Sequence, residues 1–328
     1  MRGVKSSKVR PASAFLASRP VRWCGSSLRG LALASLVANI GIIVTGAAVR
    51  LTKSGLGCPT WPRCTDGSYT TTPEMGINGV IEFGNRLLTF VLIAIAVACF
   101  LGALARGRRS LVRLSVAVAL GIPGQGVIGG ITVLTNLNPW VVGLHFVLSI
   151  ALVTGAFALW RRVGEGDGDP VPLVPAPLRQ LARVLAAASF AVIAAGVVVT
   201  GSGPHSGDHG AKRNGLDPEQ ISQVHADLVF LLIGLTVAMW FALRAVEAPA
   251  AAVRAAAVLF WVEMGQGLIG FVQYFTHLPV ALVAAHMLGS ALVWTATLAV
   301  VWSLRARPVT TVPAEPSPVT ANEPVPAA

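Results

Sequence analysis

Eight separate runs of about 20 apolar residues govern what this chain can become. They fall at approximately 29–50, 78–104, 111–133, 139–160, 181–201, 219–243, 253–275 and 280–304. At roughly 1.5 Å of rise per residue, each run is long enough to cross a hydrocarbon layer as a helix. Backbone polar groups in lipid must be satisfied internally, so a chain of such runs reads as an all-α polytopic membrane protein with eight transmembrane helices. Composition agrees, with 54% hydrophobic and 12% charged residues. A soluble domain carries roughly a quarter of its residues charged, and this chain has too few to coat a soluble surface. Disorder throughout is excluded too, because disordered chains are poor in apolar residues. No stretch between the runs is polar enough to form a soluble domain of its own. The arm at 1–28 lacks the apolar core and small-residue cleavage site of a cleaved signal peptide. The tail at 305–328, rich in Pro, Ala, Thr and Val, is expected to be disordered.

The formal net charge of +11 first points toward nucleic acid, but the bases are sorted by side. Of 25 Lys and Arg residues, 19 fall in the N-terminal arm, the even-numbered connections and the tail. The opposite loops hold only Lys53, Arg63, Lys212 and Arg213, with Arg50 and Arg86 at or inside helix ends. By the positive-inside rule both termini are expected in the cytoplasm of a cell whose plasma membrane the chain spans. The basic excess is therefore an orientation signal that also favours anionic lipid, and no nucleic-acid partner is expected.

The chain repeats itself about 141 residues apart. Gly124-Gln125-Gly126-Val127-Ile128-Gly129 returns as Gly265-Gln266-Gly267-Leu268-Ile269-Gly270, and a histidine follows each glutamine by 20 residues, at His145 and His286. Upstream, Gly41-Ile42-Ile43-Val44-Thr45-Gly46 returns as Gly196-Val197-Val198-Val199-Thr200-Gly201. Each repeat contains four spans, an even number, so the halves insert in the same orientation and are expected to be related by a pseudo-twofold axis along the membrane normal. The glycine runs suit close helix packing in lipid. A phosphate loop would need a soluble nucleotide site.

Three of the six histidines lie inside spans: His145 in the fourth, His225 in the sixth and His286 in the eighth. Each sits about seven residues, or roughly 10 Å, from the outer end of its helix. A polar ionisable side chain in a bilayer is costly and points to function, although a single such histidine can be a hydrogen-bonded packing residue. Zinc would want Cys or carboxylate in tight spacing. Two histidines on facing helices in an apolar slot suit the axial positions of a haem iron, and His225 and His286 belong to the same half. The repeat places the partner of His145 at or next to Asn85, in Ile81-Glu82-Phe83-Gly84-Asn85-Arg86. The two halves therefore read as similar in architecture and different in chemistry.

Glu82 shares a helix face with Asn85. Near a haem edge its carboxylate could take a proton or stabilise developing positive charge; the alternative is an ion pair with Arg86. Glu263 and Asp227 are weaker candidates of the same kind. His205 and His209 stand in a polar outer loop that either caps a haem propionate or is simply solvated, and His277 has no assigned role. Cys58 and Cys64 bracket Cys58-Pro59-Thr60-Trp61-Pro62-Arg63-Cys64 in the first outer loop. That side is oxidising, which suits a disulfide, either redox-active as a lid over the first-half site or a structural staple. Cys24 and Cys99 are expected as free thiols.

Taken together, the two four-span halves, the Cys-Pro-x-Trp-Pro-x-Cys loop, Glu82 ahead of Arg86, and His145, His225 and His286 resemble the haem A synthase family, CtaA. The resemblance runs from about residue 29 to 304. It implies an enzyme, a membrane haem-dependent oxidoreductase that oxidises the C8 methyl of haem O to a formyl group by successive hydroxylations for cytochrome oxidase biogenesis. It implies a haem b cofactor on His225 and His286 in the C-terminal half at 181–304. The haem O substrate would sit in the N-terminal half at 29–160, with His145 as iron ligand, and residues 161–180 would form a cytoplasmic linker. The family glutamate maps onto Glu82 and the loop cysteines onto Cys58 and Cys64. Partners implied are haem O synthase, cytochrome oxidase assembly factors and a second copy of the chain. One departure stands out: the family pattern Glu-x-x-His-Arg reads Glu82-Phe83-Gly84-Asn85-Arg86 here, and Asn is a poor iron ligand. Either His145 alone holds the substrate iron with an open or water-filled opposite face, or this branch works differently. Two other classes compete: a b-type cytochrome that passes electrons without modifying haem, and a repeat-built transporter.

Overall fold

The computed structural model describes residues 15–308. Among these, eight helices are long and apolar enough to cross a membrane: α1 (Arg19–Leu51), α2 (Gly76–Ala105), α3 (Arg109–Leu134), α4 (Pro139–Val163), α5 (Ala176–Ser202), α6 (Pro218–Ala245), α7 (Ala250–Phe275) and α8 (Val280–Ser303). The chain is an all-α multi-pass membrane protein. Its outward-facing side chains, such as Val37, Phe90, Leu120, Phe230, Trp261 and Phe275, are large and apolar, as a lipid-facing surface requires. Helix α1 starts at Arg19, inside the expected arm of residues 1–28, because Pro20 at its first turn is pre-set for helical φ. Long Arg side chains can reach away from lipid to water, so the helix outlasts its apolar window. Arg2, Lys5, Lys8 and Arg10, and the tail beyond 308, lie outside the described residues.

The neighbour pattern is the same in both halves. Helices α1, α2, α3 and α4 form a ring in which each packs on the next and α4 returns to α1; α5, α6, α7 and α8 do likewise. The rings meet through α1 on α8, α4 on α5 and α4 on α8. Between them lies a core of Leu36, Ile43, Ile150, Val153, Phe157, Ile193 and Ala291. Trp294 Nε1 crosses the seam to donate to Thr154 Oγ1 at 2.7 Å. The repeat extends to backbone detail. Asn136 and Leu137 join α3 to α4 with φ of 51° and 57°, and His277 and Leu278 join α7 to α8 with φ of 61° and 60°. Both turns close the same bonds, Leu137 N–H to Thr132 O at 2.8 Å and Leu278 N–H to Gln273 O at 2.7 Å. His277 thus has a place as a turn residue.

Each end of the bundle has a clasp between the halves. At the end bearing the disulfide loop, Arg50 Nη2 donates to Thr200 O at 2.6 Å and Arg50 Nε to His205 O at 2.5 Å. Gly55 N–H meets Gly207 O at 2.9 Å beside them. At the basic end, Val171–Pro172 (β1) and Arg305–Ala306 (β2) pair antiparallel, tying the start of the expected tail to the 161–180 connection. Arg162 bridges Glu165 at 3.0 Å and Asp167 at 3.1 Å, and Glu165 also accepts from Trp302 Nε1. The Arg108 guanidinium and Ser110 hydroxyl beside Asp167 hold its carboxyl down at about 2.

Candidate functional site

The depth of each histidine is fixed by where its helix begins. Asn138 Oδ1 caps α4 by accepting from Trp140 N–H at 3.0 Å, and Asp217 Oδ1 caps α6 through Glu219 and Gln220 N–H at 2.8 and 3.3 Å. Both caps are followed by a proline at the first helical position. His145, His225 and His286 then fall six, seven and six residues into α4, α6 and α8, about 10 Å along the axis.

In the second half, α6 and α8 face across the ring, and the His225 and His286 rings stand 6.4 Å apart between centroids with planes at 73°. His225 Nδ1 is 3.0 Å from Val192 O. A carbonyl can only accept, so Nδ1 carries the proton and Nε2 keeps its lone pair, the tautomer a metal-binding imidazole needs. Gln266 Nε2 donates to His286 O at 2.7 Å. Two glycines let the rings come close to neighbouring helices. A Cβ on Gly196 would stand 3.1 Å from His225 Cε1, and one on Gly270 would stand 3.2 Å from His286 Cε1.

The first half reproduces one side of this. Gln125 Nε2 donates to His145 O at 3.1 Å and to Ser149 Oγ at 2.9 Å, and a Cβ on Gly129 would come 3.3 Å from His145 Cε1. The glutamine and the last glycine of the repeated motif are therefore parts of a histidine seat as well as packing residues. Spacing had shown the 20-residue interval but not this contact. Asn85, at the position the repeat pairs with His145, accepts at Oδ1 from Thr45 Oγ1 at 2.7 Å.

The disulfide loop covers this half. Cys58 and Cys64 are bonded. Glu82 Oε2 accepts from Cys58 N–H at 2.6 Å, and its Oε1 pairs with Arg86 Nη2 at 2.5 Å. Arg86 also donates to Cys58 O at 3.1 Å and to Thr60 O and Arg63 O at 3.2 Å. The Glu82–Arg86 pair thus clamps the loop onto α2, and both carboxylate oxygens are engaged. Trp61 packs onto Gly130, where any Cβ would collide with its indole. In Gly129-Gly130 one glycine seats His145 and the next seats the loop; the second half has Gly270-Phe271 and only the first of these.

The remaining candidates lie apart. Glu263 is buried and accepts from Thr236 Oγ1 at 2.9 Å, while Asp227 accepts from Gln223 Nε2 at 2.7 Å on an exposed face. His205 Nε2 meets Leu278 O at 3.0 Å, and His209 Nδ1 lies 3.5 Å from Lys53 Nζ. Cys24 and Cys99 are buried free thiols.

The donor set discriminates among metals. Among the described residues no group of three or more His, Cys, Asp and Glu could hold a bare ion. A porphyrin supplies most of the iron's ligands itself and asks the protein for one or two. The 6.4 Å between the His225 and His286 rings accommodates one metal atom at an imidazole bond of roughly 2 Å on each side. His145 and His286 each keep a buried Nδ1 without a partner, as Gln125 and Gln266 keep a buried Oε1. The residues present fit haem.

The family model for cytochrome oxidase assembly proteins, COX15-CtaA, matches residues 29–205, more than half of the chain. The chain belongs to the COX15-CtaA family. That match covers the disulfide loop, Glu82, Asn85 and His145; the His225–His286 pair lies beyond it. Among curated relatives, the heme A synthase of Bacillus pumilus is 30% identical over 155 residues, 45% of this chain and 48% of the relative. The heme A synthase of Lysinibacillus sphaericus is 34% identical over 146 residues, 43% and 46% of the two chains. That of Azorhizobium caulinodans is 26% identical over 322 residues, covering 81% of this chain and 90% of its own. The chain spans about half the length of the Bacillus relative it matches.

Proposed function

We propose that this COX15-CtaA protein is a haem A synthase, a membrane haem-dependent oxidoreductase that oxidises the C8 methyl of haem O to a formyl group by successive hydroxylations, for cytochrome oxidase biogenesis. The observation that carries the reading is the doubled histidine seat. Two four-helix rings each present a glutamine-anchored, glycine-backed histidine at one depth, and only one ring completes the pair. The second half (181–304) holds haem b through His225 and His286. Haem b supplies one-electron redox chemistry when bound. The first half (29–160) would take haem O, with His145 as the residue to hold its iron and Asn85 at the position the repeat pairs with it.

Each residue then has a task. Gln125 fixes the α4 backbone at His145, and Gly129 lets the ring lie close to α3. The loop from Cys58 to Cys64, clamped by Glu82 and Arg86 and keyed by Trp61, excludes water from above the first-half site. Glu82 is the catalytic group: fixed in place by Arg86 and Cys58 N–H, its carboxyl takes a proton from the substrate or stabilises positive charge that develops on it. Lys53 and His209, 3.5 Å apart on the exposed outer side, offer a cation and a polar ring suited to a propionate. The sorted bases support a plasma-membrane chain with both termini in the cytoplasm and a pseudo-twofold axis between the halves. Haem O synthase and oxidase assembly factors are the fitting partners, and a homo-oligomer is compatible with the lipid-facing surface.

A second reading is favoured by one observation. Both Glu82 oxygens are engaged in holding the loop, as a purely structural residue's would be, and a b-type cytochrome needs no substrate half. Co-expression with a haem O synthase, followed by extraction and chromatography of haems, separates the two. Haem A is expected; haem O and haem b alone would favour the plain cytochrome.

A further inference from the structure

The two halves treat one position differently, and the difference lies in space as well as in residue type. On α5, Gly196 and Thr200 share a face, being four residues apart, and the His225 ring fills the space against Gly196, its Nδ1 donating to Val192 O one turn below. On α1 the repeated pair is Gly41 and Thr45. Here Thr45 Oγ1 bonds Asn85 Oδ1 at 2.7 Å, whereas a Cβ built on Gly41 would meet nothing within 4 Å. Thr45 lies four residues, about 6 Å, further along α1 toward the disulfide loop than Gly41. The amide therefore bonds one turn nearer the loop, and the space beside Gly41 stays open where the imidazole occupies the space beside Gly196. Its oxygen is already occupied by the threonine. Its Nδ2 makes no hydrogen bond among the described residues, so Asn85 presents an N–H donor and no ligand.

We infer that the first-half site holds its metal through His145 alone, and that the space between Gly41 and Asn85 admits a small exogenous ligand on the opposite face, with the Asn85 amide N–H as hydrogen-bond donor to it. This rests on the haem reading of the first half. The ligand class is small and uncharged or singly negative, of the size of carbon monoxide, cyanide or imidazole. Asn85 and Thr45 act on ligand access and polarity, and Thr45 is a positioning residue that acts through the amide.

The test uses the full detergent-purified chain loaded with iron protoporphyrin and reduced with dithionite. Carbon monoxide is expected to bind one haem of the two, with the His225–His286 haem silent, and imidazole is expected to compete for the same haem. Asn85→His should close the site, lowering carbon monoxide uptake by about tenfold or more and giving the first-half haem a bis-histidine spectrum. Gly41→Phe fills the same space from the other side and should also abolish uptake while both haems stay bound. Asn85→Leu should keep uptake but raise the C–O stretching frequency, because a donor facing the bound molecule is lost, and Thr45→Val should move it the same way. A wild-type protein with two haems bound and both silent to carbon monoxide would overturn the inference, as would uptake that ignores both Asn85→His and Gly41→Phe. Haem A formation is measured in parallel. Uptake as described without haem A would leave the ligation standing and remove the synthase reading. Haem A made by a protein silent to carbon monoxide would do the reverse.

Discussion

The second half pairs two histidines, whereas the first has one histidine at the matching depth and a disulfide loop over it. In the second half two glycines and one carbonyl seat two imidazoles 6.4 Å apart. In the first, one imidazole keeps its seat, an asparagine takes the position of the second, and a disulfide loop is pinned overhead by a partly buried ion pair. A site that must retain its occupant gains from two ligands; a site that must admit and release one gains from one ligand and a cover. On the proposed reading the same four-helix ring serves either purpose, and a handful of side chains decides which: Asn85 in place of histidine, Gly130 in place of Phe271, and the Glu82–Arg86 clamp.

The comparison breaks most readily at the second-half ligands. His286→Ala or His225→Ala should remove the b-type spectrum of the purified protein, weakening haem retention by more than about a hundredfold, beyond the effect of losing an outer-shell partner. If the spectrum survives either change, the second half does not hold haem through this pair. Next comes the clamp. Glu82→Ala leaves Arg86, whose side chain is 21% exposed, without its charged partner, and losing such a charged hydrogen bond costs about 1–3 kcal/mol. Haem A formation should vanish and protease should cut the 58–64 loop faster, with the haem b spectrum unchanged. Full activity in Glu82→Ala would remove Glu82 from the mechanism.

A smaller effect sharpens the difference in glycines. Gly130→Ala must push Trp61 off α3, at roughly 1–3 kcal/mol, and should lower haem O conversion without touching the haem b spectrum. Gly270→Ala, 3.2 Å from His286 Cε1, should shift that spectrum instead. Smallest is the clasp shared by both halves. Asp167 has its carboxyl lowered from 3.8 to about 2, so its stabilising contribution is complete above pH of about 4 and lost as the pH falls toward 2. The group is 44% exposed, and screening holds the effect of Asp167→Asn at neutral pH below about 1 kcal/mol. Thermal melts at pH 7 should move little and equally for both halves.

Much of this was legible in the residues. Hydropathy marks all eight helices and the 141-residue repeat anticipates two matching four-helix halves, but the matching left-handed turns at Asn136-Leu137 and His277-Leu278 came only with the backbone. The i,i+4 spacing exposes the Glu82–Arg86 pair, but the Cys58 N–H that completes it comes from a loop 24 residues away, which no local pattern encodes. Glycines 129, 196 and 270 read as helix-packing residues, because periodicity says that a glycine is close to something without saying that the neighbour is a histidine. The β1–β2 ladder is two residues long and follows from where the helices leave the chain ends. The start of α1 at Arg19 escapes a hydropathy window because helix formation and lipid burial end at different residues.

The central claim is a division of labour between the halves, and paired histidine variants test it most directly. Visible spectra of purified His145→Ala and His286→Ala, with haem extraction from the same cells co-expressing a haem O synthase, give the readout. The account predicts that His145→Ala keeps the low-spin b-type spectrum and makes no haem A, while His286→Ala loses that spectrum. Equal loss of the b-type spectrum in both variants would contradict it.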